Sequence, residues 1–360
     1  MMNTFNVSKL RALYGSYGYS KYKMSKFEEY DLYVRNKSFL ISDNIITFTD
    51  TDGKLMALKP DVTLSIVKNS QGGAGVDKVY YDESVYRISN HAYKEIRQIG
   101  LECVGDIDGY SIYEVLMLAI KSLEAISEDF VLDVSHMGIV SDIMDELSVS
   151  EEGRAELLSC IGEKNPHGIK AICAREGIDA DKAKNICALA TTYGDADKVL
   201  SWLLGVIKSE SGKEKLAQLE NIISLLDNGK VRIDFSVVND MSYYNGIVFK
   251  GFVNGVPASV LSGGQYDKLL QKMGKKGGAI GFAVYPDLLE ELYSAPNKYD
   301  VDTVLLYDEK TDIAELKNTV EKLTNDGYSV SVQKTMPEKM RYKRLLKMIE
   351  GEVKTLEDNA

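Results

Sequence analysis

The segment Arg97-Gln-Ile-Gly-Leu-Glu-Cys-Val-Gly105 decides how this 360-residue sequence is interpreted. Side chains alternate across a β-strand, so Gln98 and Glu102 are predicted to share one face with Gly100 between them. Two acceptor side chains separated by a glycine leave room for a small ligand. An ordinary polar strand face turned to solvent is the alternative, because an unpaired carboxylate in a sheet interior is costly.

The surrounding pattern predicts an α+β fold built on an antiparallel sheet. Val79–Arg87 and Glu95–Val104 are two predicted strands joined by a polar connection. Turn-rich residues at 50–53 and at Asn254-Gly255 predict hairpins. A helix is predicted to start at Pro60. Further strands are predicted at 130–134, 231–237, 246–253, 256–261 and 279–284.

Three regions follow from this pattern. Residues 1–293 are predicted to form the main body, in which residues 137–227 form an inserted helical subdomain. Residues 294–300 are predicted to be a linker, and residues 301–360 a short βαβα unit. The predicted order in that unit is a strand at 301–307, a helix at 313–325, a strand at 328–333 and a helix at 338–349.

Composition narrows the function classes. The net charge is -11, from 43 Lys+Arg against 54 Asp+Glu, which disfavours a general attraction to nucleic acid or anionic lipid. The four cysteines are scattered and three histidines accompany them, so neither a metal site nor a disulfide framework is predicted. With no apolar run of membrane-spanning length and no signal-like N-terminus, a cytoplasmic protein is expected.

Two motifs place polar groups near the predicted strands. Lys59-Pro-Asp-Val-Thr63 puts the Asp61 carboxylate and the Thr63 hydroxyl at a predicted helix start, where they are also ordinary capping residues. Arg87 could hold a carboxylate or phosphate through two nitrogens, or it could form a surface ion pair.

Two later motifs combine aromatic residues and glycines. Tyr243 and Tyr244 precede an Asn-Gly pair and could supply a hydroxyl and a stacking wall, or simply pack. The pair Gly263-Gly264 is predicted to be a turn that permits close backbone approach.

Taken in order, these motifs resemble the catalytic core of histidyl-tRNA synthetase, a class II synthetase fold, over about residues 5–293. The resemblance implies a class II antiparallel sheet with an inserted helical subdomain. Five blocks carry it: Lys59-Pro-Asp-Val-Thr63, Val85-Tyr-Arg87, Gln98-Ile-Gly-Leu-Glu102, Tyr243-Tyr-Asn-Gly-Ile-Val-Phe249 and Gly263-Gly-Gln-Tyr-Asp267.

The resemblance also implies roles for the site residues. Asp61, Thr63 and Gln98 would hold the α-ammonium group of histidine. Glu102 and Tyr244 would contact its imidazole, beside Tyr243. Arg87 or backbone N–H groups would serve the ligand carboxylate.

Several positions depart from the synthetase pattern. Ser89 replaces a glutamate, Met24 stands near the place of the motif 1 proline, and Asn239 and Leu288 replace arginines. Loss of cations that stabilise a phosphoryl-transfer transition state should lower the rate by orders of magnitude. The C-terminal region is also shorter than a synthetase anticodon-binding domain.

The sequence has the motifs of a histidine pocket but lacks several ATP-binding and tRNA-binding features of the synthetases. In this combination it resembles the regulatory-subunit family of ATP phosphoribosyltransferase (HisZ). That resemblance implies a non-catalytic, allosteric protein of histidine biosynthesis that assembles with the short catalytic subunit (HisG) as a homodimer within a hetero-oligomer. Its ligand would be L-histidine, with no cofactor, metal, tRNA or membrane partner. The alternatives are a divergent ligase that forms an aminoacyl adenylate, and a structural dimer with a vestigial pocket.

Overall fold

The computed structural model describes residues 7–37, 40, 44–70, 75–89, 92–237, 243–289, 298–349 and 351–359. The chain divides into two compact units, Met1–Tyr293 and Ser294–Ala360. Asn239 and most of the predicted linker lie outside the described residues.

Two sheets organise the first unit. A nine-stranded sheet has the order β1-β5-β6-β12-β11-β10-β7-β9-β8, and a three-stranded sheet has the order β2-β4-β3. Neighbours from β5 to β7 in the large sheet are antiparallel. The strands are β1 (Ser20–Lys21), β2 (Phe27–Glu29), β3 (Thr47–Thr49), β4 (Leu55–Leu58), β5 (Val76–Ser89), β6 (Ala92–Gly105), β7 (Phe130–His136), β8 (Tyr193–Gly194), β9 (Val231–Asp234), β10 (Ile247–Val253), β11 (Leu261–Gln265) and β12 (Gly278–Val284).

Helices surround the large sheet. Those within residues 137–227 carry side-chain N-caps such as Ser150, Asp179 and Ser209, which accept the free N–H groups of the first turn. A short 3₁₀ turn spans Pro286–Leu289. The helices are Val7–Ser16, Tyr30–Arg35, Thr63–Asn69, Gly109–Ile126, Met137–Asp145, Glu151–Gly162, Pro166–Arg175, Ala180–Thr191, Ala196–Val206, Glu210–Leu226 and Asp267–Lys272.

The helix Gly109–Ile126 covers one face of the large sheet. Its buried residues, such as Leu116, belong to the same apolar core as Ile99 and Leu101 of β6. Because side chains alternate along β6, Gln98 and Glu102 project from the opposite face. The packing of this helix therefore leaves the polar face of β6 available to a site.

The structure confirms the paired strands β5 and β6 and the hairpin of β3 and β4. Three local predictions are wrong. The helix expected from Pro60 begins at Thr63. The strand expected at 256–261 begins only at Leu261 and runs to Gln265. The pair Gly263-Gly264 is therefore part of β11 and not a turn.

The second unit is a four-stranded sheet with one described helix, Ile313–Asn325. Its strands are β13 (Val301–Leu306), β14 (Val330–Gln333), β15 (Tyr342–Ile349) and β16 (Glu352–Asp358), in the order β14-β13-β15-β16. β14 and β15 both run parallel to β13, and β16 pairs antiparallel with β15.

The predicted C-terminal helix at 338–349 is wrong. Its apolar residues fit either a helix or a strand, and pairing with β13 decides between them: Leu346 lies opposite Leu305 in the sheet. Both side chains are buried in the core of this unit. Gly351, with a φ of +84°, then turns the chain into β16. In the described part of the chain, no helix is long and apolar enough to cross a membrane.

Candidate functional site

A cavity of about 810 Å³ opens on the polar face of the large sheet. Its wall crosses the sheet from β6 through β12 and β11 to β10, and it also includes the start of the helix Thr63–Asn69. All seven predicted site residues line this cavity: Asp61, Thr63, Arg87, Gln98, Glu102, Tyr243 and Tyr244.

Glu102 forms the floor of the cavity and is 2% exposed. Thr63 Oγ1 donates a hydrogen bond to Glu102 Oε1 at 2.9 Å, and the Tyr266 hydroxyl donates to Oε2. Burial raises the pKa of Glu102 to about 8, although both hydroxyl donors oppose that rise. Glu102 is therefore an acceptor whose orientation is fixed before any ligand arrives.

Gly281 on β12 makes the position of Glu102 possible. A Cβ at residue 281 would overlap Glu102 Oε2 and the Leu101 carbonyl oxygen. By contrast, the space above Gly100 is filled by the Tyr81 hydroxyl, which lies 2.6 Å from where a Cβ would stand. The expectation that Gly100 leaves room for a ligand is wrong, because the Tyr81 hydroxyl fills that space. The glycine that matters for the site is Gly281, which leaves space for the Glu102 side chain.

A second carboxylate, Asp61, lies in the cavity wall and is 9% exposed. The Leu64 N–H donates to its Oδ1 at 2.8 Å, so Asp61 satisfies a free N–H of the first helical turn from the position before the N-cap residue Val62. Burial raises the pKa of Asp61, while the Leu64 N–H and the nearby Arg87 charge lower it. Arg87 Nε donates to the Pro60 carbonyl oxygen at 3.0 Å and so holds this turn in place.

Three tyrosines form the aromatic side of the cavity. The ring centroids of Tyr243 and Tyr244 are 4.6 Å apart, and those of Tyr243 and Tyr266 are 5.7 Å apart. Burial raises the pKa of each hydroxyl well above its ordinary value, so all three stay neutral donors or acceptors. Tyr266 lies within the glycine block but was not predicted as a site residue, because nothing local indicates that its hydroxyl reaches β6.

The close approach of β10 and β11 positions this wall. A Cβ at Gly264 would lie 2.7 Å from the Tyr244 ring, which explains the second glycine of the block. Gln265 Oε1 accepts the Ile247 N–H at 2.8 Å, and Asn245 Nδ2 donates to Asp267 at 2.9 Å. These hydrogen bonds fix the segment just before β10, which contains Tyr243 and Tyr244.

One position that departs from the synthetase pattern, Leu288, lies in the cavity wall. Its side chain is 38% exposed and carries no charge. Neighbouring Asp287 accepts the backbone N–H of Arg97 at 2.9 Å. Among the described residues, no group of three or more His, Cys, Asp or Glu is arranged to hold a metal ion.

Comparison with known proteins identifies the family. A family model described as histidyl-tRNA synthetase matches residues 5–289. The ATP phosphoribosyltransferase regulatory subunit of Caldanaerobacter subterraneus subsp. tengcongensis is 30% identical over 77% of this chain and 74% of its own length. This chain belongs to the ATP phosphoribosyltransferase regulatory subunit family. The resemblance inferred from the sequence is confirmed.

Two further similar proteins match over more of the chain. The regulatory subunit of Acetivibrio thermocellus is 26% identical over 97% of this chain and 88% of its own length. A crystal structure of a regulatory subunit/histidyl-tRNA synthetase from Bacillus halodurans superimposes with a TM-score of 0.72 at 26% identity, covering 91% of this chain and 86% of that chain. The predicted class II synthetase-like fold is therefore confirmed.

One further structure shares the fold. A chain of the ATP phosphoribosyl transferase (HisG:HisZ) complex from Thermotoga maritima superimposes with a TM-score of 0.61 at 18% identity. The match covers 79% of this chain and 97% of that chain.

The raised pKa of Glu102 predicts a pH-dependent stability difference. The folded protein holds a proton on Glu102 up to about pH 8, whereas the unfolded chain releases it near 4.5. The free energy of unfolding of the wild type should therefore fall, relative to Glu102→Gln, as the pH rises through this window. We expect the Tm of the variant minus the Tm of the wild type to increase by a few degrees between pH 5 and pH 8.

Thermal unfolding of both proteins without ligand, at half-unit pH steps, measures this difference. Comparing the two proteins cancels the titration of all other groups. Parallel Tm curves across the window would contradict the assignment of Glu102 as a buried, proton-holding acceptor.

Proposed function

We propose that this chain is the regulatory subunit of ATP phosphoribosyltransferase, required with the short catalytic subunit for the first step of histidine biosynthesis. Histidine bound in the cavity regulates the catalytic subunit, and the chain itself performs no aminoacylation. The observation that carries this proposal is a fixed, buried acceptor, Glu102, beside a tyrosine wall in a cavity whose rim has Leu288 in place of a cation.

The inner end of the cavity suits an imidazole. An imidazole N–H needs an acceptor, and Glu102 offers carboxylate oxygens already oriented by Thr63 and Tyr266. Tyr243 and Tyr244 supply flat, neutral faces beside it. An apolar ligand of equal size would leave Glu102 without a partner for its remaining lone pairs, which is unfavourable in a buried site.

The α-ammonium group has its own acceptors in the same cavity. Asp61 and the Gln98 side chain both line the wall and are 9% and 5% exposed. A bound ammonium group would favour the ionised form of Asp61, which burial otherwise disfavours. Ligand binding and carboxylate ionisation would therefore support each other.

The proposed partner is the short catalytic subunit. The named relatives are regulatory subunits of this enzyme, and a chain from the solved HisG:HisZ complex shares the fold. Regulation then requires that histidine bind one arrangement of the assembly more tightly than another. No cofactor is proposed, and a cytoplasmic location remains a prediction from the sequence.

Ligand-induced stabilisation tests the sensor function. L-histidine at about 100 times its dissociation constant should add about 2.7 kcal/mol, a Tm rise of a few degrees, whereas Mg-ATP alone should give none. Tyr244→Phe keeps the ring but removes the hydroxyl, and Glu102→Gln replaces one carboxyl oxygen with an amide group that cannot accept a hydrogen bond. Both variants should lose most of the histidine response.

The same proteins are then assayed with the catalytic subunit. Phosphoribosyl transfer should depend on the chain, and histidine should inhibit it in the wild type but not in Glu102→Gln. Stabilisation by Mg-ATP, together with histidine-dependent ATP–pyrophosphate exchange, would instead support a divergent ligase. Absence of any histidine response with the catalytic subunit present would contradict the proposal.

We also propose a homodimer within the hetero-oligomer, supported by an exposed apolar surface on the three-stranded sheet. Phe27 and Leu55 are 46% and 48% exposed, and Phe48 is 39% exposed. The rings of Phe27 and Phe48 contact edge to face at 5.2 Å between centroids. Adjacent exposed aromatic residues of this kind are typical of a protein interface.

Phe48→Glu should shift the protein from dimer to monomer, because it places a charge within the proposed interface. Light scattering with size-exclusion chromatography gives the mass. Tyr93→Glu, at an aromatic residue that is 77% exposed on β6, is the matched control and should stay dimeric. A monomeric wild type, or a Phe48→Glu protein that remains a dimer, would rule out this surface.

A further inference from the structure

Lys250 is a cation in the cavity wall that is not ion-paired with any residue the structure describes. It lies in the middle of β10, is half-buried and lines the cavity. Its side chain forms no hydrogen bond or ion pair with a described residue. Its cross-strand neighbour on β7 is Asp133, and Asp234, whose charge also acts on Lys250, is paired with Lys164 at 2.7 Å.

Burial makes this arrangement unfavourable in the empty cavity. Loss of hydration lowers the pKa of Lys250, which means that the charged form lacks the stabilisation it would have in water. An anion arriving in the cavity would supply that stabilisation. Lys94 also lines the cavity but is exposed on β6, where water already satisfies its charge.

Strand register places Lys250 at a suitable distance from Glu102. Lys250 pairs with Ser262 on β11, and Ser262 pairs with Ala283 on β12. The Glu102 carboxylate lies over Gly281, two residues along β12 from Ala283. Two strand spacings and two residue steps separate the Cα atoms of Lys250 and Gly281 by about 12 Å. The extended lysine side chain and a histidine molecule together can span this gap.

Arg87 is less available to an anion. Its Nε is committed to the Pro60 carbonyl oxygen, and its charge lies beside Asp61. Around Lys250 the wall is small and polar instead, because Ser259, Ser262 and Ala283 leave space there.

We propose that Lys250 holds the α-carboxylate of the amino-acid ligand and so distinguishes it from an amine that lacks a carboxylate. The proposal rests on the proposed function, since it assigns one end of the histidine molecule. The ligand then lies across β12 and β11, with its imidazole at Glu102 and its carboxylate toward β10.

Binding of L-histidine and of histamine, which lacks the carboxylate, tests this assignment. Calorimetry is run on the full chain, alone and with the catalytic subunit. Lys250→Met, which keeps the aliphatic length, should weaken L-histidine binding by about 10- to 100-fold, as expected for loss of a charged hydrogen bond. Histamine binding should stay unchanged, so the preference for L-histidine should collapse.

Two further variants complete the design. Lys250→Arg restores a cation and should recover part of the preference. Lys121→Met removes another half-buried lysine, on the helix that covers the opposite sheet face, and should keep the full preference.

The possible results separate the two proposals. If Lys250→Met weakens both ligands equally, or neither, the carboxylate assignment is overturned while histidine binding by the wild type stands. If the wild type binds histidine neither alone nor with the catalytic subunit, the proposed function fails and the assignment fails with it.

Discussion

The burial of the Glu102 carboxylate is the constraint on which the rest of the site depends. A carboxylate that is 2% exposed requires hydrogen-bond donors on both oxygens, and these come from Thr63 and Tyr266, which are far apart in the sequence. The helix start that carries Thr63, the strand β6 and the chain after β11 must therefore converge within hydrogen-bond distance. Gly281 provides the space over which the carboxylate lies. The fold of the first unit and the geometry of its cavity are thus set by the same contacts.

This convergence explains what the sequence could and could not predict. Alternation along β6 is a local property, so the shared face of Gln98 and Glu102 could be inferred from nine residues. The partner of Glu102 could not, because the Tyr266 hydroxyl reaches β6 only through the pairing of β6 with β12 and β12 with β11. The turn predicted at Gly263-Gly264 was wrong for the same reason. Gly263 and Gly264 resemble a turn locally, yet they lie in β11 because β12 and Tyr244 leave no space for side chains there. In the second unit, β15 fits a helical pattern equally well, and only its pairing with β13 decides.

Leu288, which departs from the synthetase pattern, differs in exposure from the buried polar residues of the cavity. Leu288 is at the cavity rim and 38% exposed, where replacing an arginine removes a charge without leaving a buried group unpaired. Asp61, Thr63, Gln98 and Glu102 are each at most 9% exposed. Loss of Asp61, Thr63 or Glu102 would leave a buried hydrogen-bond partner unsatisfied, at a cost of about 1 to 3 kcal/mol each. A charge at the rim can therefore be lost while the buried polar residues of the cavity persist as part of the folded core.

A pocket that persists in this way becomes regulatory only if its occupancy changes something outside it. The connection of the cavity to the helical region is short. Lys250 in the wall lies on β10, and β10 pairs along its whole length with β7. β7 ends at His136, whose Nδ1 accepts the Gly138 N–H and caps the first helix of residues 137–227, while the Met137 N–H donates to Gly246 at 2.8 Å. A ligand that joins β6 to β10 therefore acts on the strand that positions those helices. Because a ligand shifts an equilibrium only by its differential affinity, any conformation in which β10 moves relative to β6 would bind it less tightly. Under the proposed function, the sheet itself is thus the element through which bound histidine would favour one arrangement of the assembly over another.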